Sequence, residues 1–294
     1  MSSTPKQRII VTGSSGLLGR SLLRLLRDDY EVTGIDREGG VNPSDLVVDL
    51  SQKAPTVASI VRIAPRVLVH TGAQTDVDLC ESDRGLAKRA NVDGTANVAE
   101  GCAKVGAKLI FISTDYVFDG ERGNYRESDQ PNPIDFYGVT KLEAEQIAAT
   151  LSNSLIIRTS VLYGWHPDKL NFATWILKGL SEHQSLRIVK DHINSPTFSD
   201  NLAVAIRVAI ERNIRGVLHV AGSERISRFD FARRIARQFD LDERLLVPVK
   251  MSDLNWIAKR PRDSSLYVGK AEKELGIELF GVERGLEEMR RSKP

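Results

Sequence analysis

The stretch Arg8-Ile-Ile-Val-Thr12-Gly13-Ser-Ser-Gly16-Leu-Leu-Gly19 decides the fold. Its β-branched run predicts a short buried strand, and the leucines that follow predict the apolar face of a helix. In such a unit Gly13 permits a tight turn, Gly16 lets the backbone approach a pyrophosphate, and Gly19 lets the helix pack on the strand. The N-terminus of the helix supplies free N–H groups for phosphates. The stretch therefore predicts a dinucleotide-binding unit, although a glycine motif alone is weak evidence.

Two charged residues at the end of the next strand bear on the choice of cofactor. The run Glu31–Asp36 places an acid about twenty residues after the glycine turn, where it would accept a hydrogen bond from a ribose 2′-hydroxyl and favour NAD. Arg37 follows directly and would instead pair with a 2′-phosphate, which favours NADP. Both NAD(H) and NADP(H) stay open at this point, with NAD(H) the first choice.

Strands and helices alternate along the first 158 residues. Two further predicted strands end in Asp49-Leu50 and in Thr71-Gly72-Ala73. The first pair is expected near the adenine, and the second forms a loop of small residues against which a cofactor can lie. This alternation predicts an α/β fold with a doubly wound parallel (Rossmann) sheet, whose ligands bind at the carboxyl ends of the strands.

A second stretch, residues 108–141, carries candidate catalytic groups. Its apolar run Leu109–Ile112 predicts a buried strand that ends in two hydroxyl residues, the second of them Thr114. Tyr137 and Lys141 lie four residues apart on a predicted helix and so share a face. A nearby ammonium lowers the pKa of a phenol, normally about 10, and makes it a usable proton donor. Such a pair alone is common on surface helices, but here it converges with the glycine turn on one rim.

Composition limits the remaining possibilities. The chain has 294 residues, of which 41% are hydrophobic and 27% charged, as in ordinary globular proteins. A net charge of +2 gives no argument for nucleic acid or for an anionic membrane. No apolar run approaches the roughly 20 residues of a membrane helix. Two cysteines without metal-ligand spacing, and an N-terminus without an apolar signal region, favour a cytoplasmic protein without a metal site.

The second half of the chain is expected to cover the substrate. Residues 1–160 would form the dinucleotide-binding lobe, and residues 161–294 mainly a smaller α/β substrate-binding lobe, intertwined with the first in one structural unit. Arg260 and Arg262 lie in an irregular, proline-containing stretch near the C-terminus. Guanidinium groups pair with phosphates through a fork of donors, so these residues suit a diphosphate; surface salt bridges would explain them equally well.

Two helices of this half carry specific expectations. Asp200 is predicted to cap a helix over residues 201–211, and Ser227 to cap a helix over residues 227–239. Four arginines of the second helix are predicted to form a solvated basic face, namely Arg228, Arg233, Arg234 and Arg237.

Several short motifs together resemble one family. They are the glycine turn, Ser113-Thr-Asp-Tyr-Val-Phe-Asp-Gly120, Tyr137-x-x-x-Lys141, Arg158-Thr-Ser, Asn171-Phe-Ala, Ser195-Pro-Thr197 and Arg260-Pro-Arg-Asp-Ser264. Their order and spacing, over nearly the whole chain, resemble the dTDP-4-dehydrorhamnose reductases of the extended short-chain dehydrogenase/reductase superfamily.

The resemblance implies a reductase of a nucleotide-activated 4-keto-6-deoxy sugar in dTDP-rhamnose biosynthesis, and the superfamily suggests a homodimer. A hydride from the nicotinamide would reach the C4 ketone, while Tyr137 protonates the oxygen, Lys141 holds the nicotinamide ribose, and Thr114 hydrogen-bonds the substrate oxygen. The expected cofactor contacts are Gly13, Ser15, Gly16, Leu17, Gly19, Asp36, Arg37, Asp49, Leu50, Thr71, Gly72, Ala73, Tyr137 and Lys141. The expected substrate contacts are Thr75, Tyr116, Phe118, Asn171, Thr197 and Arg260.

Two alternatives stay open. A sugar-nucleotide epimerase or 4,6-dehydratase would keep its NAD bound, but the related dehydratases place two acids after the threonine, and here Thr114 is followed by Asp115 and Tyr116. A non-catalytic regulatory subunit of methionine adenosyltransferase shares this fold; the intact Thr114, Tyr137 and Lys141 favour an enzyme. The chain also departs from the reductase pattern at Val161, where the family commonly has a tryptophan against the sugar.

Overall fold

The computed structural model describes residues 6–39, 41–42 and 45–293. Its strands are β1 (Arg8–Thr12), β2 (Glu31–Asp36), β3 (Leu46–Val47), β4 (Val67–His70), β5 (Lys108–Thr114), β6 (Leu155–Thr159), β7 (Leu162–Tyr163), β8 (Leu186–Val189), β9 (Ile193–Asn194), β10 (Thr197–Phe198), β11 (Gly216–His219), β12 (Ile226–Ser227) and β13 (Leu246–Val249). Its helices are α1 (Leu17–Leu26), α2 (Lys53–Ile63), α3 (Val77–Ser82), α4 (Arg84–Lys88), α5 (Gly94–Val105), α6 (Phe136–Ala149), α7 (Phe172–Ser181), α8 (Ser199–Glu211), α9 (Arg228–Gln238), α10 (Gly269–Leu275) and α11 (Val282–Arg291).

Seven parallel strands form the central sheet in the order β11-β6-β5-β4-β1-β2-β3. Near the carboxyl ends of the strands, Thr12 lies opposite His70 and Thr114 lies opposite Thr159. The chain passes from β1 to β2 on one side and later returns to β4 on the other, so the switch point of the sheet lies between β1 and β4. The predicted doubly wound parallel sheet is confirmed.

Both faces of this sheet are buried. Ile9 and Val11 of β1 pack on one face with α1 and α8, while Ile10 packs on the other with α2 and α5. A parallel strand that is covered on both sides needs apolar residues at successive positions, which explains the continuous run in the sequence.

The second half builds a lobe of its own and also completes the first. Three two-stranded sheets belong to this lobe, β8 with β13, β7 with β10, and β9 with β12. Its core includes Ile176 of α7 and Phe231 of α9. By contrast, β11 pairs with β6 in the central sheet, and Leu202 of α8 packs in the core that contains α1. Residues 199–219 therefore belong structurally to the first lobe.

One capping prediction is confirmed and the other is wrong. Ser227 is the N-cap of α9, and its hydroxyl accepts a hydrogen bond from the Asp230 amide at 3.0 Å. Asp200 instead lies within the first turn of α8, whose N-cap is Phe198. Its carboxylate forms a salt bridge with Arg24 of α1 at 2.7 Å. The aspartate therefore links α8 to α1 instead of capping α8.

Candidate active site

The glycine turn after β1 is a cradle without side chains. Gly13 has a φ of +65°, and a Cβ there would lie 2.7 Å from the amide nitrogen of Gly72. A Cβ at Gly19 would overlap the carbonyl oxygen of Gly13. No side chain caps the first amides of α1, which begins after Gly16. These free N–H groups at the end of a buried strand fit a pyrophosphate.

Asp36 closes one side of this cradle. Its Oδ2 accepts hydrogen bonds from the Ser15 amide at 2.9 Å and from the Ser15 hydroxyl at 2.8 Å, and its Oδ1 accepts from the Arg37 amide at 2.7 Å. The Arg37 guanidinium pairs with Glu38 at 3.0 Å and is 62% exposed. The acid expected at a ribose and the cation expected at a 2′-phosphate thus lie side by side, and the geometry accommodates either cofactor.

The loops after β3 and β4 complete the rim. The Thr71 hydroxyl donates to the Thr12 carbonyl at 2.7 Å, which holds the β4 loop against β1. The Leu50 carbonyl accepts a hydrogen bond from Asn97 at 2.8 Å, while the Asp49 carboxylate closes the turn that follows. The remaining predicted cofactor residues are also in these segments, with Leu17 opening α1 and Gly72 and Ala73 half-buried in the β4 loop.

Asn91 links two segments near this rim. It lies in a π-helical segment, Arg89–Asp93, of the kind that often marks a functional region. Its side chain accepts a hydrogen bond from the Gln74 amide at 2.7 Å and donates to the Thr140 hydroxyl at 3.0 Å. The asparagine thereby joins the β4 loop to α6, the helix of Tyr137.

Thr114, Tyr137 and Lys141 come together in a buried group at the carboxyl end of β5. They expose 6%, 9% and 3% of their surface. Asp135 caps α6 through the Gly138 amide at 2.8 Å, which places Tyr137 in the first turn of the helix. The Tyr137 ring meets the Tyr116 ring edge to face, with centroids 5.8 Å apart.

The electrostatics of this group differ from the sequence-based expectation. Burial raises the pKa of the Tyr137 phenol, and hydrogen bonding with Thr114 opposes that effect. The Lys141 Nζ donates to the Ile112 carbonyl at 2.7 Å and lies over the Phe111 ring. Burial lowers the pKa of Lys141 itself to about 7, against the attraction of Glu145. The protonated phenol is therefore the resting form and is suited to donate a proton.

A buried ion pair fixes α6, the helix that carries Tyr137 and Lys141. Arg158 donates to both oxygens of Glu145, at 2.9 and 2.7 Å, and each side chain is only 5% exposed. Ser113 also donates to Glu145. Such a paired, hydrogen-bonded charge locks α6 against β5 and β6.

Groups suited to a nucleotide sugar lie around Tyr116. Arg260 pairs with Asp78 at 3.0 Å, and its guanidinium lies over the Trp256 ring at 5.2 Å. Arg228 donates to Asn194 at 2.7 Å. Arg228 and Arg260 each affect the pKa of Tyr116, so both cations lie near its phenol. Two guanidinium groups beside an aromatic ring are chemically suited to a diphosphate and a base or sugar.

Arg228 was therefore misassigned by the sequence, which read it as part of a solvated face. The other three arginines of α9 do form surface salt bridges with Glu243 or Glu224. Arg228 differs because it is the first residue of α9, directly after the Ser227 cap. Its guanidinium donates to Asn194.

Three predicted substrate residues make contacts within the protein. Phe118 is fully buried in the core and stacks on Tyr125 with centroids 4.2 Å apart. Asn171 caps α7 through Thr174 and donates to the Gly164 carbonyl, so both ends of its amide are engaged.

Thr197 is buried, and its hydroxyl donates to the Ser160 carbonyl at 2.6 Å. That Phe118, Asn171 and Thr197 contact substrate stays a prediction from the sequence. Of the other predicted contacts, Thr75 is exposed beside the β4 loop, whereas Tyr116 packs against Tyr137 and Arg260 pairs with Asp78.

Two absences hold for the part of the chain that the structure describes. No helix there is long and apolar enough to cross a bilayer. Within the same residues, no group of three or more histidine, cysteine, aspartate or glutamate side chains could hold a metal ion.

A glycine cradle at the switch point and a buried Thr–Tyr–Lys group at the neighbouring strand define a Rossmann-type oxidoreductase site. The chain belongs to the RmlD substrate binding domain family, whose model matches residues 7–293. It is 32% identical to a dTDP-4-dehydrorhamnose reductase of Aggregatibacter actinomycetemcomitans, over 96% of this chain and 98% of that protein.

A solved structure and a second kind of relative extend the comparison. The crystal structure of dTDP-4-dehydrorhamnose reductase from Bacillus anthracis in complex with NADP superposes with a TM-score of 0.91 at 32% identity, covering 98% of this chain and 100% of that one. The chain is also 33% identical to methionine adenosyltransferase 2 subunit beta of Bos taurus, over 93% of this chain and 84% of that protein.

Proposed function

We propose that this chain is an NAD(P)-dependent reductase of a nucleotide-activated 4-keto-6-deoxy sugar, with dTDP-4-dehydrorhamnose as the first substrate to test. The observation that carries the proposal is that the glycine cradle and the buried group Thr114, Tyr137 and Lys141 both lie at the carboxyl ends of the parallel strands. The names of the reductase relatives support the substrate class.

Different residues at the rim would bind different parts of the cofactor. The glycine turn would hold the pyrophosphate, Asp36 and Arg37 would face the adenosine ribose, and Lys141 would hold the nicotinamide ribose. When bound, the reduced nicotinamide supplies the hydride. On this proposal Tyr137 gives its phenol proton to the C4 oxygen, since burial keeps that proton on the phenol until a stronger base forms. Arg228 and Arg260 would hold the diphosphate.

Turnover with a defined substrate tests this proposal. Purified protein is mixed with a dTDP-4-keto-6-deoxy sugar generated in place, and loss of reduced-nicotinamide absorbance is followed with NADH and NADPH in parallel. We expect catalytic turnover with at least one cofactor and a product reduced at C4. Tight cofactor binding without any turnover would contradict the reductase.

The regulatory alternative has its own support in the methionine adenosyltransferase relatives. It would be favoured if the protein is inert towards keto sugars and raises or lowers the activity of a methionine adenosyltransferase catalytic subunit added to it. The intact catalytic group argues for the enzyme. The homodimer and the cytoplasmic location stay predictions from the sequence.

A further inference from the structure

We propose that His192 is a substrate-binding residue whose Nδ1–H group donates a hydrogen bond to a diphosphate oxygen of the nucleotide sugar. This inference rests on the proposed function and deepens it, because it adds a neutral donor to the two guanidinium groups expected at the diphosphate. His192 lies between β8 and β9, and only 4% of its surface is exposed. The partners of its two ring nitrogens carry the argument.

The His192 ring belongs to a chain of ring contacts that leads to the Tyr137 phenol. Its centroid is 6.5 Å from that of Tyr116 and 6.0 Å from that of Trp256, and both contacts are edge to face. Tyr116 in turn meets Tyr137, and the Arg260 guanidinium lies over Trp256. In a nucleotide sugar the diphosphate follows the sugar ring that carries the ketone. His192, two contacts away from Tyr137 and one contact from Trp256, is therefore placed for the diphosphate.

Arg228 fixes the orientation of the amide group beside His192. Its Nε donates to Asn194 Oδ1 at 2.7 Å, and a guanidinium has no acceptor, so the amide oxygen must be the atom at this position. The NH₂ group of Asn194 then lies 2.9 Å from the Ser264 hydroxyl and 3.4 Å from His192 Nε2. Because an amide NH₂ group only donates, Nε2 is the acceptor in this contact.

The tautomer of His192 follows from this acceptor. Burial and the charges of Arg228 and Arg260 hold the pKa of His192 well below its ordinary value, so the imidazole is neutral near neutral pH. A neutral imidazole carries one proton, and a nitrogen that accepts a hydrogen bond does not hold it. The proton of His192 is therefore on Nδ1, which makes this nitrogen a donor.

This donor is left without a protein partner in the described part of the chain, where the hydrogen bond of the ring is the one at Nε2. In the same residues, two fully buried side-chain atoms lack a partner, namely the Ser14 hydroxyl and Asp135 Oδ2. His192 Nδ1 is not one of them, so it keeps some contact with solvent. A ligand oxygen can take the place of the water that such a donor binds.

His219 shows how a second buried histidine satisfies the same tautomer. Its Nε2 lies 3.5 Å from the Arg158 guanidinium, which donates, and its Nδ1 lies 3.0 Å from the Tyr125 carbonyl, which accepts. Within the described residues, His192 lacks the carbonyl partner that His219 has. An open N–H donor near two guanidinium groups suits an oxygen that carries negative charge, as in a diphosphate.

A pair of substitutions separates the donor from the packing of the ring. His192→Asn keeps an N–H donor the same number of bonds from Cα as Nδ1, but it loses the ring. His192→Phe keeps a ring between Tyr116 and Trp256, but it has no donor. Both variants lose the acceptor that faces Asn194, so a difference between them does not come from that contact.

The first measurement is the affinity for dTDP and for UDP by calorimetry. We expect His192→Phe to raise the Kd about tenfold or more, the size of a hydrogen bond to a charged group. His192→Asn should stay within about threefold of the wild type. The loss in His192→Phe should be alike for both nucleotides, since they share the diphosphate and differ in the base and the sugar.

The cofactor Kd of each variant serves as the control for folding and should not change. Wild-type affinity in His192→Phe would overturn the inference, and so would weaker binding by His192→Asn than by His192→Phe, which would mean that ring packing is measured. Wild-type protein that binds neither nucleotide would also overturn it.

The second measurement reads the tautomer and needs no ligand. The protein is labelled with 15N at histidine, and the His192 ring signals are assigned by their loss in His192→Asn. We expect a protonated Nδ1 and an unprotonated Nε2 between about pH 6 and 8, with His219 giving the same pattern. A protonated Nε2 on His192 would overturn the inference. If nucleotide binding responds to both substitutions as expected but no keto sugar is reduced, the proposed reductase fails and the His192 donor stands.

Discussion

The glycine turn proposed to hold the cofactor and the contacts that join the two halves of the chain are built in different ways. At the rim, the backbone itself is the surface proposed to hold the cofactor, and glycine is required at positions 13 and 19 because a Cβ would strike neighbouring backbone. Between the two halves, side chains from distant parts of the chain do the work, as Asp115 does with Ser264. A site made of backbone can be read from a local motif; a site made of assembled side chains cannot.

The largest expected effect concerns Phe118, which the motif assigns to the substrate and the structure assigns to the core. Phe118→Ala should lower the free energy of unfolding by about 3–5 kcal/mol, because the cavity left between Tyr125 and His219 cannot fully close. Denaturant unfolding measures this. A variant of wild-type stability with a raised KM for the sugar would return Phe118 to the binding site.

A smaller effect is expected at the rim. Gly19→Ala should weaken cofactor binding at least about fivefold, since the added methyl overlaps the Gly13 carbonyl and displacing it costs about 1–3 kcal/mol. Gly94→Ala is the matched control, because a Cβ there meets nothing closer than 3.6 Å.

Cofactor titration of both variants, followed by fluorescence, measures the cofactor affinity of each. We expect Gly94→Ala to bind as the wild type does and to be slightly more stable, as alanine is in a helix. Equal affinities in the two variants would show that the turn is not the cofactor cradle.

The smallest effect sharpens the choice of cofactor. Arg37 is exposed and, among the residues that the structure describes, pairs with Glu38, so Arg37→Ala should weaken NADPH binding about fivefold or less and leave NADH binding unchanged. Comparing the two Kd values in one buffer measures it. The same loss for both cofactors would mean that Arg37 does not face a 2′-phosphate.

The fold was predictable because its signals are periodic and local. Alternating strands and helices indicated the parallel sheet, and the capping residue Ser227 predicted the start of α9. Asp200 failed as a cap because tertiary pairing with Arg24 outweighed the local signal. The strand predicted to reach Leu50 stops at Val47, where Asp49 turns the chain through the Ser51 amide at 3.0 Å.

The site was only partly predictable for a related reason. Tyr137 and Lys141 follow from helix spacing, but the role of Lys141 depends on the Ile112 carbonyl, a partner that no pattern names. Arg228 and Asp115 carry signals in the sequence, one as the first residue after a cap and the other directly after a strand-end threonine. What the sequence could not show is which distant donors they meet.

The most direct test of the central claim is single-turnover hydride transfer, measured by rapid mixing of reduced cofactor, dTDP-4-keto-6-deoxy sugar and excess protein. Tyr137→Phe is compared with Tyr163→Phe, which removes the hydroxyl of a buried tyrosine in the core of the second lobe. Loss of the proton donor should slow the step about 10²- to 10⁴-fold in Tyr137→Phe, while Tyr163→Phe stays within about threefold of the wild type. A Tyr137→Phe rate near that of the wild type would contradict the account.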